Sequence, residues 1–351
     1  MVAPIILLSQ KQLQLKTVDV DSITTADDTF VTLYPVTHAT TPSARRQILN
    51  GSGSGGGCLL ADATTFALYD EFEIFNNSSE VQIIKNSDLT LFEFLVPRAT
   101  AIIKCTSIST AAGSWEYVDD NESLGFNACS QVSEDWIETS TLANYKMSTA
   151  VSGSGTAFAR SSALAGSFGG CGYTRTNTSS ATASAIFYYG SGYLPLGDGA
   201  IYIKSKINLN NLGVNPYELI AWVGISDTFS GVTPLSAPVN SIGVRFKSIA
   251  PDASANWILS AWSGSSNTLG TTDQDVAVGL NTWHTIDIVI NDDASQVDAY
   301  VDNEHISRLT SGIPTGDLQF GFGIEGMGAT ALNRVLFEDY HKVHQHISGG
   351  R

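Results

Sequence analysis

The sequence predicts an all-β protein in which a small N-terminal β-module is followed by a jelly-roll β-sandwich. Three observations carry that prediction. Val, Ile, Phe and Tyr come in bursts of strand length, separated by stretches rich in Gly, Ser, Thr, Ala and Asn, and only 15% of residues are charged. Within the bursts apolar and polar residues alternate, which puts successive side chains on opposite faces of a sheet. At 351 residues the chain is long enough for two or three cores.

The net charge of −16 and pI near 4.6 oppose binding to phosphate backbones and anionic lipid surfaces. Nucleic acid is therefore not an expected partner, and the pair Arg45-Arg46 reads as part of an exposed loop. The opening run MVAPIILLSQKQLQLK is too short to span a bilayer and lacks a preceding basic region, so neither a signal peptide nor membrane insertion is expected. Cys58, Cys105, Cys129 and Cys171 show no CxxC spacing, which points to buried reduced thiols rather than a zinc site.

Residues 1–28 read as an extended arm or short strand, or alternatively a disordered terminus, that ends in the acidic stretch DVDSITTADD. Residues 29–118 read as a β-module, with FVTLYPV, CLLADAT, FEIFNN, VQIIKN, LFEFLVP, TAIIKCTSI and SWEYV as short strands of a small sandwich or roll. Phe72, Ile74, Val81 and Ile83 should face its core, with Glu71, Glu73 and Gln82 outside. The run GSGSGGG at 51–57 has no GK[ST] ending and no following helix, so it reads as a hairpin tip and not a phosphate loop. Trp115, beside Tyr117 on a strand, reads as a core cap and not a sugar platform.

In order, LADAT at 60–64, FEIFNNS at 72–78, VQIIKN at 81–86, TAIIKC at 100–105 and GSWEY at 113–117 resemble a β-module that recurs in bacteriophage fibres, spikes and related virion proteins. The resemblance covers about a quarter of the chain and departs from the pattern in the strand before LADAT, where Arg45-Arg46-Gln47 and the glycine run stand. It implies a virion location, assembly in the bacterial cytoplasm, a homotrimer, and attachment to other virion proteins through the N-terminal arm.

Residues 119–351 read as the sandwich with a Ser/Gly-rich lead-in. Phe158, Phe168, Tyr173, Phe187 and Tyr188 argue that the lead-in supplies early strands, one of which pairs with the last. Eight alternating segments follow Gly199: GAIYIKSKINL, ELIAWVGISD, NSIGVRFKS, NWILSAWSGSS, TWHTIDIVIN, QVDAYVDNEHISRL, LQFGFGIEGM and NRVLFEDYHKV. Within them, the Trp283-His284 start, the Asp292-Asp293 turn and Tyr300-Val301-Asp302-Asn303 resemble the strand pair of laminin-G and concanavalin-like domains. That resemblance implies the fold and leaves open whether glycan, protein or nothing is bound.

Four residue sets invite chemistry. Asp287, Asp292, Asp293, Asp298 and Asp302 offer calcium ligands, but the ligand residues of the lectin group do not line up here, and the other reading is solvated strand-edge and turn residues. Trp222, Trp257 and Trp262 offer a stacking platform or core packing. Glu218, Asp227, Glu325 and Glu338 offer carboxylates for glycoside hydrolysis, but no motif joins them. In HKVHQH, His344 and His346 share one face of a strand, so three copies could surround a metal with six imidazoles; the alternative is a simple terminal tail.

These readings lead to a non-enzymatic structural protein of a phage particle (fibre, spike or capsid decoration) that needs no cofactor and displays a lectin-like sandwich for host adhesion. Two other readings stay open, a host-glycan-binding lectin and a polysaccharide depolymerase.

Overall fold

The computed structural model describes residues 20–38, 40–51, 55–119, 129–134, 147–152, 157–161, 171–176, 184–189, 194–211, 219–227, 239–247, 254–264, 266–326 and 334–346. Nearly all of the regular structure is strand. The first nine strands build the module: β1 (Val20–Thr25), β2 (Phe30–Leu33), β3 (Arg46–Gly51), β4 (Gly57–Leu60), β5 (Glu71–Asn76), β6 (Gln82–Lys85), β7 (Leu91–Leu95), β8 (Thr100–Ser107) and β9 (Ser114–Asp119). Its two sheets run β1-β3-β5-β8-β9 and β2-β4-β6-β7.

The pairs β1–β3, β3–β5, β2–β4 and β4–β6 are parallel, so the chain climbs as three stacked rungs before closing with antiparallel strands. Register partners recur every 26 or 27 residues, as in Val20, Arg46 and Glu73, or Phe30, Gly57 and Ile83. Val20–Thr25, assigned to the arm from sequence, is thus the first rung, and its Asp21 carboxylate accepts the Ala44 N–H at 2.7 Å. Arg46 likewise lies on a strand and not in a loop; Arg45 and Arg46 pair with Glu71 and Glu73 of the next rung.

The glycine run is not a hairpin tip, because β3 and β4 belong to different sheets. Its described residues form a corner pressed between the rungs before and after it. A Cβ on Gly51 would overlap the Thr25 carbonyl, and one on Gly57 the Ile83 carbonyl. Glycine is required by this close backbone approach. Gly57→Ala is therefore expected to cost about 2 kcal/mol or more in a chemical denaturation series, in the range of overpacked cores. An unchanged midpoint would refute the stacking argument.

Phe72, Ile74, Val81 and Ile83 are buried as their alternation predicts. Gln82 is the exception, since it is fully buried and donates to Ser78 Oγ at 3.2 Å. Trp115 packs edge-on against Phe66 and donates to the Ala112 carbonyl at 2.9 Å. Cys58 and Cys105 are free and buried, and burial pushes the Cys58 thiol up to about 12, so it stays protonated.

The remaining strands form the sandwich. The lead-in contributes β10 (Cys129–Glu134), β11 (Met147–Ser152), β12 (Ala157–Ser161), β13 (Cys171–Thr176), β14 (Ser184–Tyr189) and β15 (Leu194–Pro195). Then come β16 (Ile201–Asn211), β17 (Leu219–Ser226), β18 (Asn240–Lys247), β19 (Ile258–Ser263), β20 (Ser266–Leu269) and β21 (Thr271–Thr272). The last five are β22 (Trp283–Ile290), β23 (Val297–Val301), β24 (Glu304–Leu309), β25 (Asp317–Gly326) and β26 (Arg334–His346). One sheet has nine strands, ordered β12-β13-β26-β16-β22-β23-β24-β21 with β10 also on β26; the other has eight, ordered β11-β14-β25-β17-β18-β19-β20 with β15 on β25.

This is a jelly-roll sandwich, with early strands returning beside the last as the lead-in suggested: β10 and β13 both pair with β26. Ile203, Ile286 and Val343 of one sheet meet Val223, Val244 and Phe322 of the other in a single core. QVDAYVDNEHISRL is two strands and not one. It folds back at Asp302-Asn303, both at positive φ (53° and 71°), as a two-residue hairpin turn requires. Among the described residues no helix is long and apolar enough to cross a membrane.

Candidate functional site

The site begins with strand parity. On β16, β22 and β23, residues 203, 286 and 299 point into the core, so Tyr202, Lys204, Asp287, Val289, Asp298 and Tyr300 point outward. The module covers this outer face. Ala200, Tyr202, Val289 and Tyr300 join Phe94, Leu95 and Val96 in the module's own apolar cluster, and the Phe94 ring lies 5.2 Å from Tyr202 and 5.0 Å from Tyr300.

Polar contacts rim this seam. Arg308 forks onto Asp28 of the module at 2.7 and 2.8 Å while its Nε holds Asp298 at 2.7 Å. The Arg308 hydrogen bonds hold the Asp28 carboxyl below its usual range. Burial pushes Asp298 up, but hydrogen bonds from His305 and Arg308 overcome it and leave that carboxyl lowered. At another edge Ser79 Oγ donates to Asp292 at 2.8 Å, and both Glu80 oxygens lie 3.2 Å from the Asp292 N–H. Glu80 is 2% exposed, and burial, then the hydrogen bond and charge of Asp292, raise its carboxyl to about 8.

Elsewhere along the seam, over β16 and β26, opens a cleft of about 80 Å³, lined by Glu93, Phe94, Val96 and Tyr117 of the module and Tyr202, Lys204 and Lys342 of the sandwich. Glu93 Oε1 accepts its neighbour's Phe94 N–H at 3.0 Å and faces Lys204 Nζ at 3.5 Å. Beneath them Tyr202 donates to Asp287 at 2.7 Å. Asp287 is buried and raised to about 6, with burial outweighing the attraction of Lys204. Burial pulls Lys204 down, yet the charges of Asp287 and Glu93 leave it raised and charged.

The five aspartates do not converge. Asp287 serves Tyr202, Asp292 serves Ser79, Asp293 caps its own turn through Ser295, and Asp298 serves Arg308 and His305. Asp302 ties the hairpin to the Thr285 N–H and to His284. Among the described residues no three His, Cys, Asp or Glu side chains are placed to hold a metal. His344 lies in the body of β26, 5% exposed, so the segment is a strand and not a simple tail. The side chain of His346 lies outside the described residues, as does Glu218.

The other acids occupy separate layers. Asp227 accepts from Asn240 Nδ2 at 2.6 Å beside the ends of β17 and β18, and Glu325 lies on the outer face of the eight-stranded sheet. Glu338 is sealed between the sheets, where it accepts from Ser205 at 2.7 Å and lies 3.0 Å from His341. Of the tryptophans, Trp257 is core, packed against Phe246 and His284. Trp262 sits half-buried opposite Ser241. Trp222 lies outside the eight-stranded sheet, its indole laid across Gly243 and buried with Ile186, Tyr188 and Ile220.

Lys204, Lys342, Glu93 and Tyr202 were not singled out from sequence. Their signal was only a strand whose polar positions were too often aromatic or buried, as in IYIKSK.

The fold defines a jelly-roll β-sandwich carrying a three-rung β-module on one face. No known protein family and no curated protein matches the sequence. Among solved structures the chain is similar to a protein of unknown function from Shewanella oneidensis MR-1 (16% identity, TM-score 0.46, covering 64% of this chain and 90% of that one). It is also similar to the carbohydrate recognition domain of Emp47p (12%, 0.43, covering 63% and 98%). A third is a carbohydrate esterase from the Shiga toxin-encoding bacteriophage phi24B (14%, 0.40, covering 61% and 97%). These likenesses concern the fold alone.

Proposed function

We propose that the chain is a structural component of a bacteriophage particle that presents a carbohydrate-recognising sandwich and acts by binding, not turnover. The observation that supports it best is the seam: an apolar cluster and ion pairs fasten the module to one sheet face. The particle assignment draws on the motif order between residues 60 and 117, and with it come a homotrimer and attachment through the N-terminal residues.

A binding role also suits the distribution of acids. Two-carboxylate glycoside hydrolysis needs carboxyls about 5–9.5 Å apart across one bond. Of the acids singled out from sequence, Asp287 lies under the module, Glu338 between the sheets and Glu325 outside the opposite sheet.

The test is a glycan array with full-length protein, paired with a reducing-end assay on each polysaccharide bound. Binding without release of reducing ends is the expected result. Release would make the protein a depolymerase, and an array without any binding would overturn carbohydrate recognition. Antibody raised against the chain should label intact particles, and unlabelled particles would overturn the virion assignment.

A further inference from the structure

We infer that the open end of the rung stack is a docking site for one more strand, and that the segment Pro4–Leu7 of the same chain is its occupant. The inference stands on the rung geometry and is independent of the carbohydrate and particle readings above. Pro4–Leu7 lies outside the described residues.

The backbone edge of the first rung is open. β1 and β2 are the outermost strands of their sheets, and among the described residues β1 pairs only with β3 and β2 only with β4. The Thr29 and Leu33 carbonyls accept from the Gly57 and Ala61 N–H groups, so by alternation Phe30 and Thr32 turn their backbone groups to the open side. Such an edge is a template for another strand.

The core is open with it. Val31 heads a column in register with Cys58 and Ile84. Those two are fully buried, while Val31 is 38% exposed. On β1, Ile23 stands in register with the fully buried Leu49 and is itself only half-buried. In stacked units each buries its neighbour's apolar face, so a terminal unit needs a cap.

The rung spacing selects the occupant. The steps from Val20 to Arg46 and from Cys58 to Ile84 are of 26 residues. One such step back from Phe30–Leu33 falls on Pro4–Leu7, inside the apolar run MVAPIILL. It sets Ile5 on Val31, and Leu7 on the column of Leu33 and Leu60. Pro4, which has no N–H to donate, comes at the first position of an edge strand, where proline is tolerated. The connection fits as well, since residues 8–19 ahead of β1 are as many as residues 34–45 between β2 and β3.

The tether also favours the chain's own segment. A short connection holds it beside the edge at an effective concentration of about millimolar. A second copy stacked rung to rung would bring together two chains of net charge −16, with Asp21 of each on the facing strands.

The test uses the full chain. In hydrogen exchange the Thr32 amide should exchange about tenfold more slowly, or slower still, in the unaltered chain than in Ile5→Asp or Leu7→Asp. Both variants should also unfold at lower urea concentration. Ile6→Asp, on the outward side, should change neither property. As a readout independent of these variants, a benzophenone-bearing residue in place of Val31 should crosslink to residues 4–7. Mass spectrometry on a mixture of isotopically light and heavy chains should find those crosslinks within single chains.

A Thr32 amide that exchanges equally fast in the unaltered chain and in both aspartate variants overturns the inference, as do crosslinks that miss residues 4–7. Loss of protection in Ile6→Asp alone overturns the register. Crosslinks between light and heavy chains overturn the chain's own segment as occupant in favour of a neighbouring copy.

Discussion

Raising the pH from about 5 to about 9 should lower the melting temperature, and Glu80→Gln should remove most of that loss. Glu80 is buried against Asp292, with Asp293 beyond it, and its carboxyl is raised from 4.5 to about 8 in the folded protein. An acid raised in the folded state binds its proton more tightly there than when unfolded. Stability is therefore full below the unfolded value and falls as pH climbs through the window from 4.5 to about 8.

Two other seam groups act in the same sense. Asp287 is raised from 3.8 to about 6, so its ionisation costs stability across that lower window. Burial pulls His305 down, but bonds to Asp298 and Asp273 leave it raised, so its contribution is present in acid and lost as pH rises through its folded value.

A shift of a few pKa units is worth a few kcal/mol, which moves the melting point by about 5 °C or more in a chain of this size. In Glu80→Gln the side-chain amide keeps the donor that a protonated Glu80 presents to Asp292 and cannot ionise. Melting curves at several pH values check this. A variant with the same pH dependence as the unaltered protein would remove the Glu80–Asp292 contact from the account.

Glu338→Ala should destabilise the sandwich by about 3–5 kcal/mol, the cost of stranding the partners of a buried polar pair. Glu338 and His341 lie between the sheets, at 0% and 1% exposure, with Ser205 donating to the acid and the His341 ring packed 4.8 Å from Phe320. They share the inner face of β26 with Leu336 and Val343 because the register shifts between Lys206 and Ile207.

Replacing Glu338 and His341 together by Leu should recover most of the loss, since a packed apolar pair often equals a buried polar one. Urea denaturation of the single and double variants decides it. Additive losses would mean that the two side chains do not depend on each other.

Much of the fold was legible because alternation survives in the sequence wherever a strand has one wet face. The seven module segments and the segments after Gly199 became strands on that basis. Alternation failed where both faces are covered. In GAIYIKSKINL the residues between the core positions include Ala200 and Tyr202, buried under the module, and no local pattern says what covers them.

The three rungs escaped notice for a related reason. Parallel strands 26 or 27 residues apart share backbone register without sharing residues, so Phe30, Gly57 and Ile83 show no repeat to the eye. The corner glycines were visible, but their cause, a neighbouring carbonyl, was not.

The candidate site was illegible from sequence. Glu93 and Lys342 are separated by most of the chain and meet because β7 lies over the outer face of β16 and β26. The aspartates drew attention because that residue type clusters in sequence, while in space they are spent on the seam, the hairpin and turns.

By itself the sequence determined the class of structure: all-β and acidic, in alternating segments separated by turns such as Asp292-Asp293. Those properties follow from composition, period-two alternation and turn chemistry, which act over a few residues. Only the tertiary structure decided which sheet face the module covers, which acids are raised and where a cleft remains. Burial and charge pairing depend on contacts between residues as distant as Asp28 and Arg308, and short-range pattern carries no information about such contacts.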